Sequence, residues 1–396
     1  MLGRVAGLVL GVTVLAACAA VPAPKAGVSP SPTSGVAATQ TPSANPTVLG
    51  VATVTTGTCR CSTLHLISVG GIPLGSVTLA AGVQPVLDAG PAGVYFVLGY
   101  QLLRLGADGA TTPVGKVALA PTGREPSVSP DPQLGALAVA PGGTEWAYLQ
   151  TVGGGGSQTN QVWLGEAHRR PRLLVSSGQN VGPPSSEFPA GWSYRLLGWA
   201  GGSLVVAQVA SGADSFATAA LEVSLVNPQT GTQTVLSNSP NCPVSALAAG
   251  GGYLCFQQGG GQATELVTGA AGIITGAWSL AAGNGYGAAV FDPAASRILF
   301  ADCPGCAASP SAAYLGSRME VLDTDSGALQ ALGAPGLVPD AWLPTGQIVA
   351  TQYTQLHAAR PGSAPLSAVV LVDPASGQVT ALTHDSSSQF VGVAIS

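Results

Sequence analysis

The sequence predicts an all-β fold, and three observations support this prediction. After residue 48, no amphipathic helical pattern is longer than about two turns. Short apolar runs dominate instead, and Gly, Pro, Asp or Asn bound them, as at the ends of strands. The 396 residues include 55 Gly and 31 Pro, 46% are apolar, and only 8% are charged, where about 25% is usual. This composition provides a core and many turns, in which we expect the glycines to lie, and it excludes both a coiled coil and a highly charged disordered chain.

Residues 1–18 are typical of an export signal that ends in a lipid-attachment site. Arg4 precedes the uncharged stretch Val5–Ala17, which is too short for a transmembrane helix and suits the apolar region of a signal peptide. The segment Leu15–Cys18 resembles the bacterial lipobox, and an ordinary secretory signal with a chance cysteine is the alternative. The resemblance implies that Cys18 is lipidated, so that lipid anchors the chain on the extracytoplasmic side of a bacterial membrane.

Residues 19–47 predict a disordered tether. They contain six Pro, many Ser, Thr and Ala, a single charge on Lys25 and no aromatic residue. Such a segment cannot bury enough apolar surface to fold. We therefore expect a semi-extended linker, followed by one domain over residues 48–396.

That domain contains a repeated hairpin. Leu225–Leu236, Val321–Leu332 and Leu371–Leu382 each read as a strand, an Asp/Asn-x-x-Ser/Thr-Gly turn and a second strand. The Asp or Asn side chain caps the turn, and Gly takes the positive-φ position. Weaker copies of the hairpin occupy residues 64–77, 102–114, 162–175 and 265–274.

Most hairpins follow a small-residue turn and a short apolar strand, so four strands recur every 40–60 residues or so. This period predicts a β-propeller of about seven four-stranded blades, with six or eight blades, or a pair of β-sandwiches, as alternatives. Val51–Thr56 and Phe390–Ile395 are both strand-like. We expect them to complete one blade together and so close the ring.

The repeats resemble those of TolB-like, YVTN-type and WD-type propellers over residues 50–396. The resemblance lies in the architecture. The Ser-Pro-Asp-Gly turn of TolB-like repeats is incomplete here, its nearest forms being residues 129–131 and 140–143, and no Trp-Asp dipeptide occurs.

Six cysteines follow Cys18, and an even number in an exported protein predicts disulfide bonds. They are Cys59, Cys61, Cys242, Cys255, Cys303 and Cys306. Cys242 and Cys255 flank a glycine-rich turn and could meet across adjacent strands.

Cys303–Cys306 is a C-x-x-C segment at the end of an apolar strand, for which a local loop disulfide is the favoured interpretation. A redox dithiol would need a helix N-terminus after it, and a loop-like Ala-Ala-Ser-Pro-Ser follows instead. A metal site shared with Cys59 and Cys61 is the third possibility. A bond between Cys59 and Cys61 themselves would be strained, so their partners stay open.

The sequence predicts no catalytic residue, metal site or cofactor. It lacks Gly-x-Ser-x-Gly, His-Glu-x-x-His, phosphate-loop and complete EF-hand motifs, and none of its four His has partners at a diagnostic spacing. Lys and Arg number 13 against 18 acidic residues, which argues against a nucleic-acid partner.

Candidate binding residues come from the loops. In a propeller, the connections between second and third strands share one ring face with the connections between blades, and long insertions fall there at residues 151–160, 176–192, 303–317 and 355–366. Function tends to lie on elaborated loops. The residues predicted to form this binding face are Trp192, Tyr194, Arg195, Tyr314, Arg318, Tyr353, His357 and Arg360.

Together these features predict a monomeric lipoprotein of the cell envelope whose propeller is a binding or scaffolding platform for an envelope protein or glycan. An extracytoplasmic propeller enzyme of the lyase, hydrolase or quinoprotein type, with a site in the central channel, is the alternative. A structural subunit of a larger envelope assembly is a third hypothesis.

Overall fold

The computed structural model describes most of the chain after residue 46. The described ranges are 47–56, 61–79, 86–117, 133–154, 157–176, 192–210, 220–237, 242, 244–248, 251–259, 262–270, 273–306, 313–355, 366–384 and 387–395. The predicted signal, tether and lipid site at Cys18 lie outside them. No helix in these ranges is long and apolar enough to cross a membrane.

The described strands form seven four-stranded antiparallel sheets, numbered here as blades 1 to 7. Blade 1 contains β1 (Val48–Thr56), β2 (Ser62–Ile67) and β3 (Pro73–Thr78). Blade 2 contains β4 (Leu87–Gly90), β5 (Gly93–Leu98), β6 (Gln101–Gly106) and β7 (Thr111–Lys116). Blade 3 contains β8 (Gln133–Val139), β9 (Glu145–Gly154), β10 (Ser157–Glu166) and β11 (Arg172–Ser176). Blade 4 contains β12 (Trp192–Ala200), β13 (Ser203–Ala210), β14 (Ala220–Val226) and β15 (Gln233–Ser237).

The remaining blades follow the same order. Blade 5 contains β16 (Val244–Leu247), β17 (Gly252–Gly259), β18 (Gln262–Ala270) and β19 (Ile273–Ser279). Blade 6 contains β20 (Gly285–Phe291), β21 (Arg297–Cys303), the short helix α1 (Ala313–Gly316), β22 (Arg318–Asp323) and β23 (Leu329–Leu332). Blade 7 contains β24 (Leu337–Trp342), β25 (Ile348–Gln355), β26 (Leu366–Val372) and β27 (Val379–Ala381). The last strand, β28 (Ser388–Ile395), pairs with β1 and completes blade 1.

The predicted propeller of seven blades is therefore confirmed, as is its closure by the first and last strands. The inner strand is the first one of blades 2 to 7, and in blade 1 it is β28. Inner strands of neighbouring blades contact each other, as β28 contacts β4, β4 contacts β8, and β16 contacts β20. The described apolar residues form seven core clusters, one at each junction between neighbouring blades. A blade cannot bury both of its apolar faces alone, and stacking in a ring buries them.

The repeated turn forms as its residues predict. The Asp323 carboxylate accepts hydrogen bonds from the Ser326 N–H at 2.8 Å and from the Ser326 hydroxyl at 2.6 Å, and these bonds lower the pKa of Asp323. Asp373 is held in the same way by the following turn residues. Gly327 and Gly377 adopt φ values of 71° and 70° there, which a side chain would disfavour.

Two of the predicted disulfides are present. Cys242–Cys255 joins the segment before β16 to β17, and Cys303–Cys306 closes a local loop after β21. Cys61 is also disulfide-bonded, whereas Cys59 lies outside the described residues. The favoured local disulfide of Cys303–Cys306 is therefore present, and its sulfurs are bonded to each other and not to a metal shared with Cys61. The redox-dithiol interpretation stays a prediction, because a redox C-x-x-C also forms this bond when it is oxidised.

One predicted loop is mostly strand. Residues 151–154 belong to β9 and residues 157–160 to β10, and the two strands pair as a long hairpin. The run of small and polar residues suggested a loop, but pairing with a neighbouring strand satisfies its backbone groups equally well.

Candidate functional site

The ring has two faces with different connections. The loop face carries the blade-to-blade connections and the links between second and third strands. The hairpin face carries the turns between first and second strands and between third and fourth strands.

Three of the eight predicted binding residues lie on neighbouring elements of the loop face. Tyr314 belongs to α1, Arg318 begins β22, and Tyr353 lies on β25, against which α1 packs. The Gly336 N–H donates to the Ser317 carbonyl at 2.7 Å, and the Tyr353 N–H donates to the Gly336 carbonyl at 2.8 Å. These bonds join the ends of blades 6 and 7 into one unit, called here the blade 6–7 corner.

Arg318 is held at this corner by acidic neighbours. Its Nε and Nη2 atoms donate to the Asp302 carboxylate at 3.1 and 3.0 Å, and Nη2 lies 2.9 Å from a Glu320 oxygen. Asp302 is 1% exposed and also accepts from the Asn284 amide at 2.8 Å. The Arg318 side chain remains 44% exposed, so its position is fixed while part of the guanidinium faces solvent.

The same cluster shifts the titration of its neighbours. Burial, followed by the charge of Asp302, raises the pKa of Glu320. Burial, again followed by Asp302, raises the pKa of Tyr286 to about 12. The negative charge of Asp302 therefore disfavours a second negative charge beside it. The positive charge of Arg318 opposes this effect at Glu320.

The other predicted residues lie elsewhere. Trp192, Tyr194 and Arg195 are on β12 in blade 4, which blade 5 separates from the blade 6–7 corner. Arg195 is exposed. Tyr194 is buried between blades 3 and 4, and this burial, with a smaller effect of the Glu222 charge, raises its pKa. His357 and Arg360 lie outside the described residues, so the predicted set is not brought together as one patch in the part of the chain that is described.

Two carboxylates on inner strands have strongly shifted titration. Asp88 on β4 accepts from the Val139 N–H of the next blade at 2.5 Å, and Asp340 on β24 accepts from the Thr351 hydroxyl at 2.7 Å. Burial raises the pKa of each to about 7. They belong to blades 2 and 7 with blade 1 between them, and the causes of the two pKa shifts are burial and local hydrogen bonds. No group of three or more His, Cys, Asp or Glu in the described ranges could hold a metal ion.

A pocket that sequence reasoning missed lies on the hairpin face between blades 5 and 6. Its volume is about 320 Å³, at the low end of the range for small-ligand sites. Its lining includes Tyr253, Thr268, Thr275, Trp278, Phe291 and Asp325. The lining comes from four strands and three turns of two blades, and no single segment contains it.

Comparison with solved structures agrees with this fold. The chain is similar to the β-propeller domain of the Trilobed protease from Pyrococcus furiosus, with 9% identity, a TM-score of 0.50, and coverage of 86% of this chain and 97% of that one. That domain is described as having an open velcro topology, whereas here β28 pairs with β1.

Two further similarities have lower scores. The chain matches TolB from Acinetobacter baumannii with 10% identity and a TM-score of 0.41, over 87% of this chain and 67% of that one. It matches a puromycin-hydrolysing peptidase from Mycobacterium tuberculosis with 14% identity and a TM-score of 0.48, over 84% and 53%. No family model and no curated protein matches the sequence. What the chain shares with known proteins is therefore the propeller fold, which hosts many unrelated functions.

Proposed function

We propose that the protein is a lipid-anchored, extracytoplasmic binding platform whose propeller contacts an envelope protein or glycan through the blade 6–7 corner. The observation that carries the proposal is Arg318, which two carboxylates hold in place while its side chain stays 44% exposed. A fixed arginine loses little conformational freedom when a partner binds, so more of the interaction energy appears as affinity.

The donor atom of this arginine that has no acceptor indicates which chemical groups the partner presents. The bonds to Asp302 and Glu320 use Nε and Nη2, and Nη1 has no partner among the described residues. Nη1 can therefore donate to a carbonyl, hydroxyl or carboxylate of the partner. Leu315 of α1 is 38% exposed in the same corner and adds an apolar contact beside the charge.

The location is supported by the disulfides and by the N-terminal sequence. Disulfides persist in oxidising compartments outside the cytoplasm, and the described residues include two complete disulfides and the bonded Cys61. The lipobox-like segment ending at Cys18 supports attachment by lipid. Cys18→Ser should move the full chain from the membrane fraction to the soluble fraction, and mass spectrometry should no longer show the added mass of a lipid. A variant that stays in the membrane fraction and keeps the lipid mass would refute the anchor.

The contact is tested by partner capture from the native envelope. Full-length protein carrying Arg318→Ala should retain much less of the partner than the parent, as measured by quantitative cross-linking and mass spectrometry. Arg169→Ala is the matched control, because Arg169 also pairs with a glutamate, Glu166 at 2.6 Å, but lies on the hairpin face. Equal retention by the two variants, or capture of no partner by the parent, would overturn the proposal. The alternative of an enzyme stays a prediction, for which a panel of hydrolase and lyase substrates is the measurement.

A further inference from the structure

We propose that the pocket between blades 5 and 6 on the hairpin face is a second binding site, which takes a neutral sugar ring such as one unit of a polysaccharide. It lies on the face opposite to the blade 6–7 corner, and the two sites are independent. The inference rests on how the pocket's aromatic rings are held, which of its polar groups lack partners, and the charge of its lining.

The Trp278 ring packs over two glycines. A Cβ atom on Gly276 would lie 2.3 Å from the indole ring, and one on Gly327 would lie 3.5 Å from it. Any residue larger than glycine at position 276 would displace the indole of Trp278. Gly327 belongs to the neighbouring blade. The ring also packs against the core between blades 5 and 6 and forms part of the pocket wall. An aromatic surface held in this way is what the apolar C–H face of a pyranose packs against.

Three polar groups of the lining have no hydrogen-bond or ion-pair partner among the described residues. They are the Tyr253 hydroxyl, the Trp278 indole N–H and the Asp325 carboxylate. The hydroxyls of Thr268 and Thr275 lie 3.1 Å apart, and each keeps capacity for another bond. The pocket thus offers both donors and acceptors close to aromatic surface.

The carboxylate of Asp325 is not required by the turn that carries it. The equivalent position of the repeated turn is Gln229 in blade 4 and Ala375 in blade 7, and Asp323, two residues earlier, makes the capping bonds. Asp325 is exposed. Its charge is therefore available to a ligand.

The charge and chemistry of the lining select a neutral hydroxylated ligand. The lining contains one carboxylate and no cationic side chain, which disfavours phosphate and other anions. An organic cation would suit Asp325 and the rings, but an ammonium has no acceptor for the Trp278 N–H and the Tyr253 O–H. Sugar hydroxyls both donate and accept, so they match the whole set. A volume of about 320 Å³ holds one or two rings.

The test is saturation-transfer NMR and calorimetry on the full chain with glucose, galactose, mannose and N-acetylglucosamine, with choline and inorganic phosphate as the other probes. At least one sugar should bind. Asp325→Ala, which gives blade 6 the residue of blade 7, should weaken that binding about tenfold, and so should Trp278→Ala. Gln229→Ala, at the same turn position in blade 4, should change nothing.

The outcomes separate this site from the other proposal. Arg318→Ala should leave sugar binding unchanged, so failure at one face does not imply failure at the other. Because Trp278→Ala also removes core contacts, Asp325→Ala is the deciding variant, with circular dichroism to confirm its fold. Absence of binding by every sugar, binding that Asp325→Ala does not weaken, or Asp325-dependent binding of choline in place of sugar would each overturn the proposal.

Discussion

Replacement of Asp340 by Asn probes the electrostatics of the inner strands. Asp340 is the extra residue of a bulge on β24, between Pro339 and Ala341. The Thr351 hydroxyl donates to it at 2.7 Å, and an Asn carbonyl can accept the same bond. Burial raises the pKa of Asp340 from 3.8 to about 7, against a smaller opposing effect of the Thr351 bond. The variant therefore changes the titration while keeping the shape and the hydrogen bond.

The sign of the effect follows from proton binding. Between the unfolded pKa of 3.8 and the folded pKa of about 7, the native protein holds a proton at Asp340 that the unfolded chain has lost. Stability must then fall as pH rises through this window, by about 1.4 kcal/mol for each pH unit. Between about pH 5 and about pH 8, Asp340 should lower the free energy of unfolding by about 2.5 kcal/mol. Asn carries no charge in either state, so the variant should escape this loss.

The assay is urea unfolding of the oxidised protein at several pH values across that window. Titration of all other groups is common to parent and variant, so the difference between them isolates Asp340. The Asn variant should become more stable than the parent as pH rises, and Asp88→Asn should behave in the same way. Asp373→Asn is the control, because turn hydrogen bonds lower the pKa of Asp373, so that it is ionised in both states across this window and should show no such trend. Parallel stability profiles for the parent and Asp340→Asn would refute the argument.

Other predictions concern packing, capping and cross-linking, and urea and thermal unfolding measure all of them. Gly165→Ala should destabilise the protein by about 1–3 kcal/mol, because its Cβ would lie 2.2 Å from the buried Trp146 ring; unchanged stability would contradict the packing. Asp292→Ala should lower stability by about 1–3 kcal/mol, because its carboxylate accepts two backbone N–H groups of the β20–β21 turn; a neutral effect would show that water replaces it. Removing both Cys242 and Cys255 should lower stability by about 3 kcal/mol, and equal stability of oxidised and reduced protein would contradict this.

The sequence predicted those parts of the fold that local chemistry determines. The turn at Asp323 forms because its side chain reaches N–H groups two and three residues away and Gly327 tolerates positive φ. Blade number follows from counting such hairpins, and ring closure follows from the strand-like segments at the two ends of the domain. Arg318 was predicted from its place beside a long insertion, and the structure adds the buried Asp302 that holds it, which no spacing in the sequence reveals.

The bulges of the inner strands could not be predicted. In six of the seven blades, one residue of the inner strand is skipped in the pairing with the second strand. The skipped residues are Gly135, Leu197, Ser245, Ala288, Asp340 and Val391. They share no side-chain property, so the bulge arises from the bend that an inner strand needs where the blades crowd around the axis. Tyr194 lies on such a strand, and its burial against the neighbouring blade is decided by the ring as a whole.

Glycine has a second role here beyond turns, and it connects the fold to the proposed sugar site. We expected the glycines to lie in turns, yet Gly165 sits within β10 directly opposite Trp146, and the indole occupies the space that a side chain would need. Gly276 in β19 leaves room for Trp278 in the same way. A large ring that covers a strand glycine is buried on one side without any charged partner, which suits a chain with only 8% charged residues. Trp146 also packs against the preceding blade, blade 2. Trp278 lines an open pocket instead, so the same packing device leaves a rigid aromatic surface for a ligand.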